Sequence, residues 1–274
     1  MDYIQYYITT DPARNEILIA LFSTQPFDTF EETATGFNAF IPAAEDGEEV
    51  VEYLHSLQEQ FDFQFEREFI HGQNWNVIWE TNFHPVVVGS FCGIRADFHP
   101  PLENVGIELV INPKMAFGTG HHETTWMVIQ MMEYLDFRGK TVLDYGCGTG
   151  VLAILASRLG AKDLYAIDIE EESRLNTQEN CRLNGVDNVR AIHGTLADVP
   201  TLQYDVILAN INRNVILDSL SSLSSLMKPE AHLIVSGFVL EDEALMRDAL
   251  STHGFDLRKT NQKNNWLAMQ CLKN

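Results

Sequence analysis

Along the first seventy residues, period-two and helical spacings of apolar side chains alternate. Tyr3 to Thr10 reads as a strand, and Asp11-Pro12 then supplies an N-cap and a first helical position for a helix running through Ile17, Leu18, Leu21 and Phe22. Thr29 to Ala34 and Phe37 to Ala43 read as strands joined across Thr35-Gly36, as in a hairpin. Asp46 to Phe61 carries Val50, Val51, Leu54, Leu57 and Phe61 at helical spacing, and Phe63 to Ile70 alternates again. The order β-α-β-β-α-β predicts a small ferredoxin-like α+β domain over residues 1–70.

Residues 71–100 read as a linker. Gly72-Gln73-Asn74 punctuates the chain, and Trp75, Ile78, Trp79 and Phe83 fall at spacings that predict an amphipathic connecting helix. Val86 to Asp97 and Ile107 to Asn112 read as strands leading into the next unit. Over 101–274 strands alternate with helical stretches, which predicts an α/β domain with helices packed on a mostly parallel sheet. Its strands are expected at Thr141–Tyr145, Leu164–Ile169, Val189–His193, Tyr204–Asn210 and His232–Ser236. Asp256–Thr260 and Trp266–Leu272 form a closing hairpin, which implies a reversed strand at or near one edge.

Composition narrows the class. The chain has 274 residues, 45% of them hydrophobic and 21% charged, with no apolar run long enough for a membrane helix, so a globular protein is expected. No basic segment precedes an apolar stretch at the N-terminus, so a cytoplasmic location is expected. Cys92, Cys147, Cys181 and Cys271 are scattered, which argues against a disulfide framework or a cysteine zinc site. The net charge is −21, and it is unevenly spread: residues 1–100 hold 17 acidic and three basic side chains. Such a field repels a phosphate backbone and attracts a basic partner, so nucleic acid and membrane are not expected as partners.

The strongest local motif is Asp144-Tyr145-Gly146-Cys147-Gly148-Thr149-Gly150 between a predicted strand and a predicted helix. There a ligand can approach the backbone closely at the carboxyl edge of the sheet. A dinucleotide fingerprint requires Gly or Ala where Val151 stands, so the spacing resembles instead the first motif of class I methyltransferases. Asp168, 22 residues beyond Gly146, is in register to accept hydrogen bonds from ribose hydroxyls. Asn210 begins a polar break after the apolar strand Val206-Ile207-Leu208, where this class faces the acceptor. It is followed by Ile211-Asn212-Arg213 and not by Pro-Pro-Tyr, which removes the stacking platform for a planar acceptor and favours a flexible amine. Further upstream, Ala116-Phe117-Gly118-Thr119-Gly120-His121-His122-Glu123-Thr124-Thr125 makes a loop that can fold over a ligand, with Thr124 or Thr125 opening the next helix. Adjacent histidines rarely address one ion, so no metal site is expected there.

Together, this loop, the Asp144–Gly150 turn and Ala209-Asn210-Ile211 resemble the ribosomal protein L11 methyltransferase (PrmA-like) family over nearly the whole chain. The resemblance implies a class I (Rossmann-like) catalytic domain, a ferredoxin-like domain that recognises the substrate, and a tryptophan-rich linker between them. It implies transfer of methyl groups from S-adenosyl-L-methionine to lysine side chains and the α-amine of ribosomal protein L11. The residues it points to for the cofactor are Thr125, Gly146, Asp168 and Asn210, with Phe117, Gly118, Thr119, Asp144 and Gly148 around them, and Asn210 also serves the reaction. His121 and Glu123 depart from the family's usual Thr and Pro. A monomer that takes the basic protein before ribosome assembly is expected. Another acceptor, or a non-catalytic acidic adaptor, are the alternatives.

Overall fold

A computed structural model describes residues 2–70, 84–112, 118 and 120–274, and the chain divides into two compact units, Met1–Asn82 and Phe83–Asn274. The connecting helix predicted around Trp75 and Trp79, and Gly72, lie outside the described residues.

The first unit holds β1 (Tyr3–Thr10), α1 (Asn15–Phe22), β2 (Thr29–Thr33), β3 (Gly36–Pro42), α2 (Glu48–Gln58) and β4 (Phe63–Ile70). Its strands order as β2-β3-β1-β4 with every neighbouring pair antiparallel. Alternation along β1 explains the packing: Tyr6 and Ile8 are buried against Leu18 and Phe22 of α1 and Val50, Leu54 and Leu57 of α2, while Tyr7 and Thr9 face outward. Asp11 accepts the Ala13 N–H at 3.0 Å, and Pro12 opens a short 3-10 turn ahead of α1. Beside α2, Asp46 accepts from the Tyr6 hydroxyl at 2.6 Å and from Arg67 at 2.7 Å. Burial, with help from that carboxylate, pushes the Tyr6 phenol up to about 12.

In the second unit β5 (Val86–Val88), β6 (Cys92–Arg95) and β7 (Ile107–Val110) make a small sheet. The sequence predicts one strand over Val86–Asp97. Instead the chain folds back at Gly89-Ser90, and β5 pairs antiparallel with β6. The main sheet comprises β8 (Thr141–Tyr145), β9 (Asp163–Asp168), β10 (Val189–His193), β11 (Tyr204–Asn210), β12 (Met227–Val239), β13 (Phe255–Lys263) and β14 (Trp266–Lys273), in the order β10-β9-β8-β11-β12-β14-β13. The first five run parallel, and β14 is antiparallel to both of its neighbours, so the reversed strand lies next to the edge. β12 is longer than the apolar core His232–Ser236 from which it is read in the sequence.

Helices cover both faces, which is why these strands read as near-continuous apolar runs. Val142, Ala166, Val206 and Leu208 pack on one side with α3 (Glu123–Met132) and α4 (Val151–Arg158). Leu143, Ile167, Ile207 and Ala209 pack on the other with α6 (Arg213–Leu226) and α7 (Glu243–Thr252). Between these, α5 (Glu171–Leu183) is polar in composition, yet Asn176, Thr177 and Asn180 are buried on it. All four cysteines are free and buried, and burial raises their thiols, Cys92 and Cys271 to about 12.

Candidate active site

The carboxyl ends of β8, β9 and β11 meet at one cleft of about 770 Å³, within the usual range for a small-molecule site. Gly146, Gly148, Asp168 and Asn210 all line it, together with His122, Tyr145, Ile169, Glu170, Asn212 and Trp266.

The glycine turn is shaped by its surroundings. The Gly146 N–H donates to the Ile167 carbonyl at 2.8 Å with φ at +75°, and a Cβ there would stand 2.0 Å from Cγ2 of Ile211. No L side chain fits without moving the loop after β11. On the far side of that loop Gly237, at φ +102°, would place a Cβ 2.1 Å from the Ile211 carbonyl oxygen. Ile211 thus sits wedged between two glycines, its own N–H donating to the Ser236 carbonyl at 3.1 Å.

Asp144 lies beneath the turn, 1% exposed, and does not line the cleft. Its Oδ2 accepts the Ala153 N–H of α4 at 3.0 Å, while Oδ1 has no partner. Burial, reinforced slightly by the Asp168 charge, raises its carboxyl to about 7. Asp168 has a different setting. Its Oδ2 accepts the Gly148 N–H at 2.9 Å and its Oδ1 the Glu170 N–H at 3.0 Å. A carboxylate offers about four lone-pair positions, so acceptor capacity remains for a ligand.

Asn210 is 9% exposed; its Nδ2 donates to Thr125 Oγ1 at 3.0 Å, and its Oδ1 is buried without a partner. The helix that follows is capped by Asn212, whose side chain accepts the Asn214 N–H at 2.9 Å, so Asn210 is not a cap. Thr125 is fully buried and lines a small void of about 10 Å³ with Gly118, Gly146, Cys147 and Asn210, and the void shares Gly146 and Asn210 with the wall of the cleft. Gly118 is tied to the glycine turn by its carbonyl, which accepts from Thr149 Oγ1 at 2.6 Å. Phe117 and Thr119 lie outside the described residues.

Neither threonine opens α3; the N-cap is His122, whose ring accepts the Thr124 N–H and stands 4.6 Å from the Trp266 ring at 69°. A histidine nitrogen can act here because the backbone of His122 itself is extended, as an N-cap requires. The two departures from the family loop turn away from the cleft. His121 Nε2 reaches the His84 carbonyl at 2.7 Å, and Glu123 accepts from Asn264 at 2.8 Å. Among the described residues no group of His, Cys, Asp or Glu could hold a metal ion.

A set of asparagines that sequence reading missed supports the turn from α5. Asn180 accepts the Asn112 N–H at 3.0 Å and donates to the Thr149 carbonyl at 2.9 Å. Asn176 donates to the Asn112 carbonyl at 2.8 Å, and Asn184 bonds both the N–H and the carbonyl of Val110. Their signal is two asparagines spaced by four in α5 and a third, four residues on, at its C-cap, in a helix otherwise lacking an apolar stripe.

The sheet order with its reversed penultimate strand, the glycine turn after the first strand of the main sheet, and the acidic residue ending the next define a class I methyltransferase. Solved structures agree: the ribosomal protein L11 methylase from Lactobacillus delbrueckii subsp. bulgaricus superposes with a TM-score of 0.61 at 30% identity, covering 70% of this chain and 100% of that one. The family model for ribosomal protein L11 methyltransferase (PrmA) matches residues 13–274, and the chain belongs to that family. Among its relatives, the L11 methyltransferase of Porphyromonas gingivalis is 39% identical over 264 residues, 93% of this chain and 89% of its own length. That of Phocaeicola vulgatus is 36% identical, covering 98% and 99%.

Proposed function

We propose that the protein methylates ribosomal protein L11, with S-adenosyl-L-methionine as methyl donor and amines, lysine side chains and the α-amine, as acceptors. The observation that carries this reading is the convergence of Gly146, Gly148, Asp168 and Asn210 on one cleft.

The residues suit the cofactor. A Cβ at Gly146 would fill the turn, so bare backbone faces the ligand, and Asp168 keeps acceptor capacity for a ribose diol. When bound, S-adenosyl-L-methionine supplies a methyl group activated by its sulfonium. The chain's own task is to orient the acceptor amine and to exclude water. That amine must be neutral. A free lysine amine has a pKa of about 10.4 and an α-amine about 8, so water leaving the half-open cleft as both substrates fill it would disfavour the ammonium form and aid both. Asn210 lines the cleft, and a small outward shift of its side-chain oxygen, which has no partner within the fold, would let it accept the amine's N–H and hold the nitrogen with its lone pair free.

The acidic N-terminal unit supplies attraction for a basic protein. Its outward strand face carries Tyr7, whose hydroxyl donates to Glu68 at 2.9 Å, beside exposed Glu66. Assembled ribosomal RNA would be repelled by the same field, so the free protein is the preferred substrate, met by a monomer in the cytoplasm. No helix among the described residues is long and apolar enough to cross a membrane.

The test is methyl transfer from labelled cofactor to purified L11 offered beside other basic ribosomal proteins and beside intact large subunits, followed by intact mass. Selective labelling of free L11 in steps of one methyl is expected. Cofactor binding with no labelling of L11 would overturn the assignment of the substrate.

A further inference from the structure

We infer that Val215 is a specificity-determining residue that covers the methylene stem of an acceptor lysine. The inference rests on the proposed reading of the protein as a methyltransferase acting on amines.

The two sides of the cleft differ in chemistry. Asp168 and Asn210 end β9 and β11, the strands on either side of β8, so they stand two strand spacings apart, roughly 10 Å, with the glycine turn between them. On the Asp168 side the wall continues through Glu170, Glu172 and Ser173, polar groups suited to the hydroxyls of a ribose. On the Asn210 side Ile211, the Tyr145 ring and Val215 present apolar surface. Ile169, the other exposed large apolar side chain in the cleft, follows Asp168 directly and belongs to the cofactor side.

The register of α6 carries Val215 into this wall. Asn212 caps the helix and lines the cleft; Val215 lies three positions on and Ser219 seven, so all three share one stripe. Ser219 marks where the stripe points, since its Oγ stands 3.1 Å from the hydroxyl of Tyr145. Ile216 and Leu220, one position further round, are turned into the core and fully buried. Val215 by contrast is 42% exposed, a branched apolar side chain that the fold leaves partly uncovered at the mouth of the cleft.

The two kinds of acceptor differ in what precedes the nitrogen. A lysine amine ends a chain of four methylenes, and these gain from leaving water only where apolar side chains receive them. An α-amine sits directly on the backbone and has no such stem. A lysine that brings its nitrogen to Asn210 from the mouth of the cleft passes along α6, where Val215 covers the stem. The same side chain weights the enzyme toward lysines over the α-amine.

The experiment compares wild type, Val215→Thr and Val215→Leu on intact L11, with methyl incorporation at lysines and at the α-amine followed separately by peptide mass mapping. Binding of S-adenosylhomocysteine is measured on each by calorimetry. Threonine keeps the shape of valine and puts a hydroxyl in place of a methyl. Its kcat/KM at lysines is expected to fall about tenfold or more, the scale on which apolar pockets separate such isosteres, with α-amine methylation and the S-adenosylhomocysteine Kd held within about threefold. Val215→Leu, which keeps an apolar cover, is expected to lose less at lysines than Val215→Thr does. Equal losses at lysines and the α-amine, or no loss at lysines in Val215→Thr, would overturn the inference. A Kd that rises with the loss would do so too, because it would place Val215 on the cofactor. Failure of the wild-type enzyme to label L11 is a separate result, which would overturn the substrate reading and take this inference with it. Calorimetric binding also reports folding, and if the threonine variant fails to fold, Val215→Ala carries the same readings.

Discussion

The carboxylate of Asp168 bridges two loops at once, accepting the Gly148 N–H at 2.9 Å through Oδ2 and the Glu170 N–H at 3.0 Å through Oδ1. The end of β9 is thereby fastened to the glycine turn, and the residue expected to receive the ribose also shapes the wall beside it. Asp168→Ala is expected to weaken S-adenosylhomocysteine binding by more than one lost ligand contact explains. Hydrogen bonds to a charged group contribute about 1.5–3 kcal/mol each, so a rise in Kd of at least about a hundredfold should appear in calorimetry. Asp168→Asn keeps one acceptor oxygen and should fall between.

Gly146→Ala should abolish cofactor binding, because its Cβ would stand 2.0 Å from the Ile211 side chain at a φ of +75°. Trimming the obstacle in a Gly146→Ala/Ile211→Ala double variant should restore binding only partly, since the backbone strain of about 1–2 kcal/mol persists. Thermal melts with and without cofactor distinguish the two contributions.

The pH dependence of stability should carry the mark of Asp144. Burial raises its carboxyl from an ordinary value near 4 to about 7 in the folded chain. A carboxyl with a raised folded pKa binds its proton more tightly in the native state. Its contribution to stability is therefore full below about pH 4 and is lost as pH rises to about 7 and beyond. Asp144→Asn, which keeps an oxygen for the Ala153 N–H, removes that titration. Relative to wild type, its melting temperature should gain as pH is raised from 5 to 8.

Asn180→Ala would strand the Asn112 N–H and the Thr149 carbonyl together. Each buried group left unsatisfied costs about 1–3 kcal/mol. Chemical denaturation should show a loss of several kcal/mol from a residue that does not line the cleft.

If acidity of the N-terminal unit recruits the basic substrate, KM for the protein should rise with ionic strength while the S-adenosylhomocysteine Kd hardly changes. A KM indifferent to salt would count against charge as the source of recruitment.

How much of this was legible in the chain follows from which interactions are local. Strands such as Thr141–Tyr145 and Phe63–Ile70 stood out because alternation or unbroken apolar runs record burial directly. Gly146, Gly148, Asp168 and Asn210 were legible because each ends or follows a strand at a fixed offset. A motif shows proximity in sequence but not which side of the turn a side chain occupies, so the burial of Thr125 and Asp144 is visible only in the fold. His122 as a cap, the ring of Trp266 beside it, and the asparagines of α5 depend on partners more than sixty residues distant or on the local backbone angle. Such pairings leave no periodic trace.

The position of Ile211 between Gly146 and Gly237 also bears on how this chain can change. On the Gly146 side the obstruction is a branched side chain, so a mutation there has a conceivable suppressor at Ile211 itself. On the Gly237 side the obstruction is a peptide oxygen, which every amino acid at 211 would present. A library selected for new acceptors should therefore recover paired changes at 146 and 211, and glycine alone at 237.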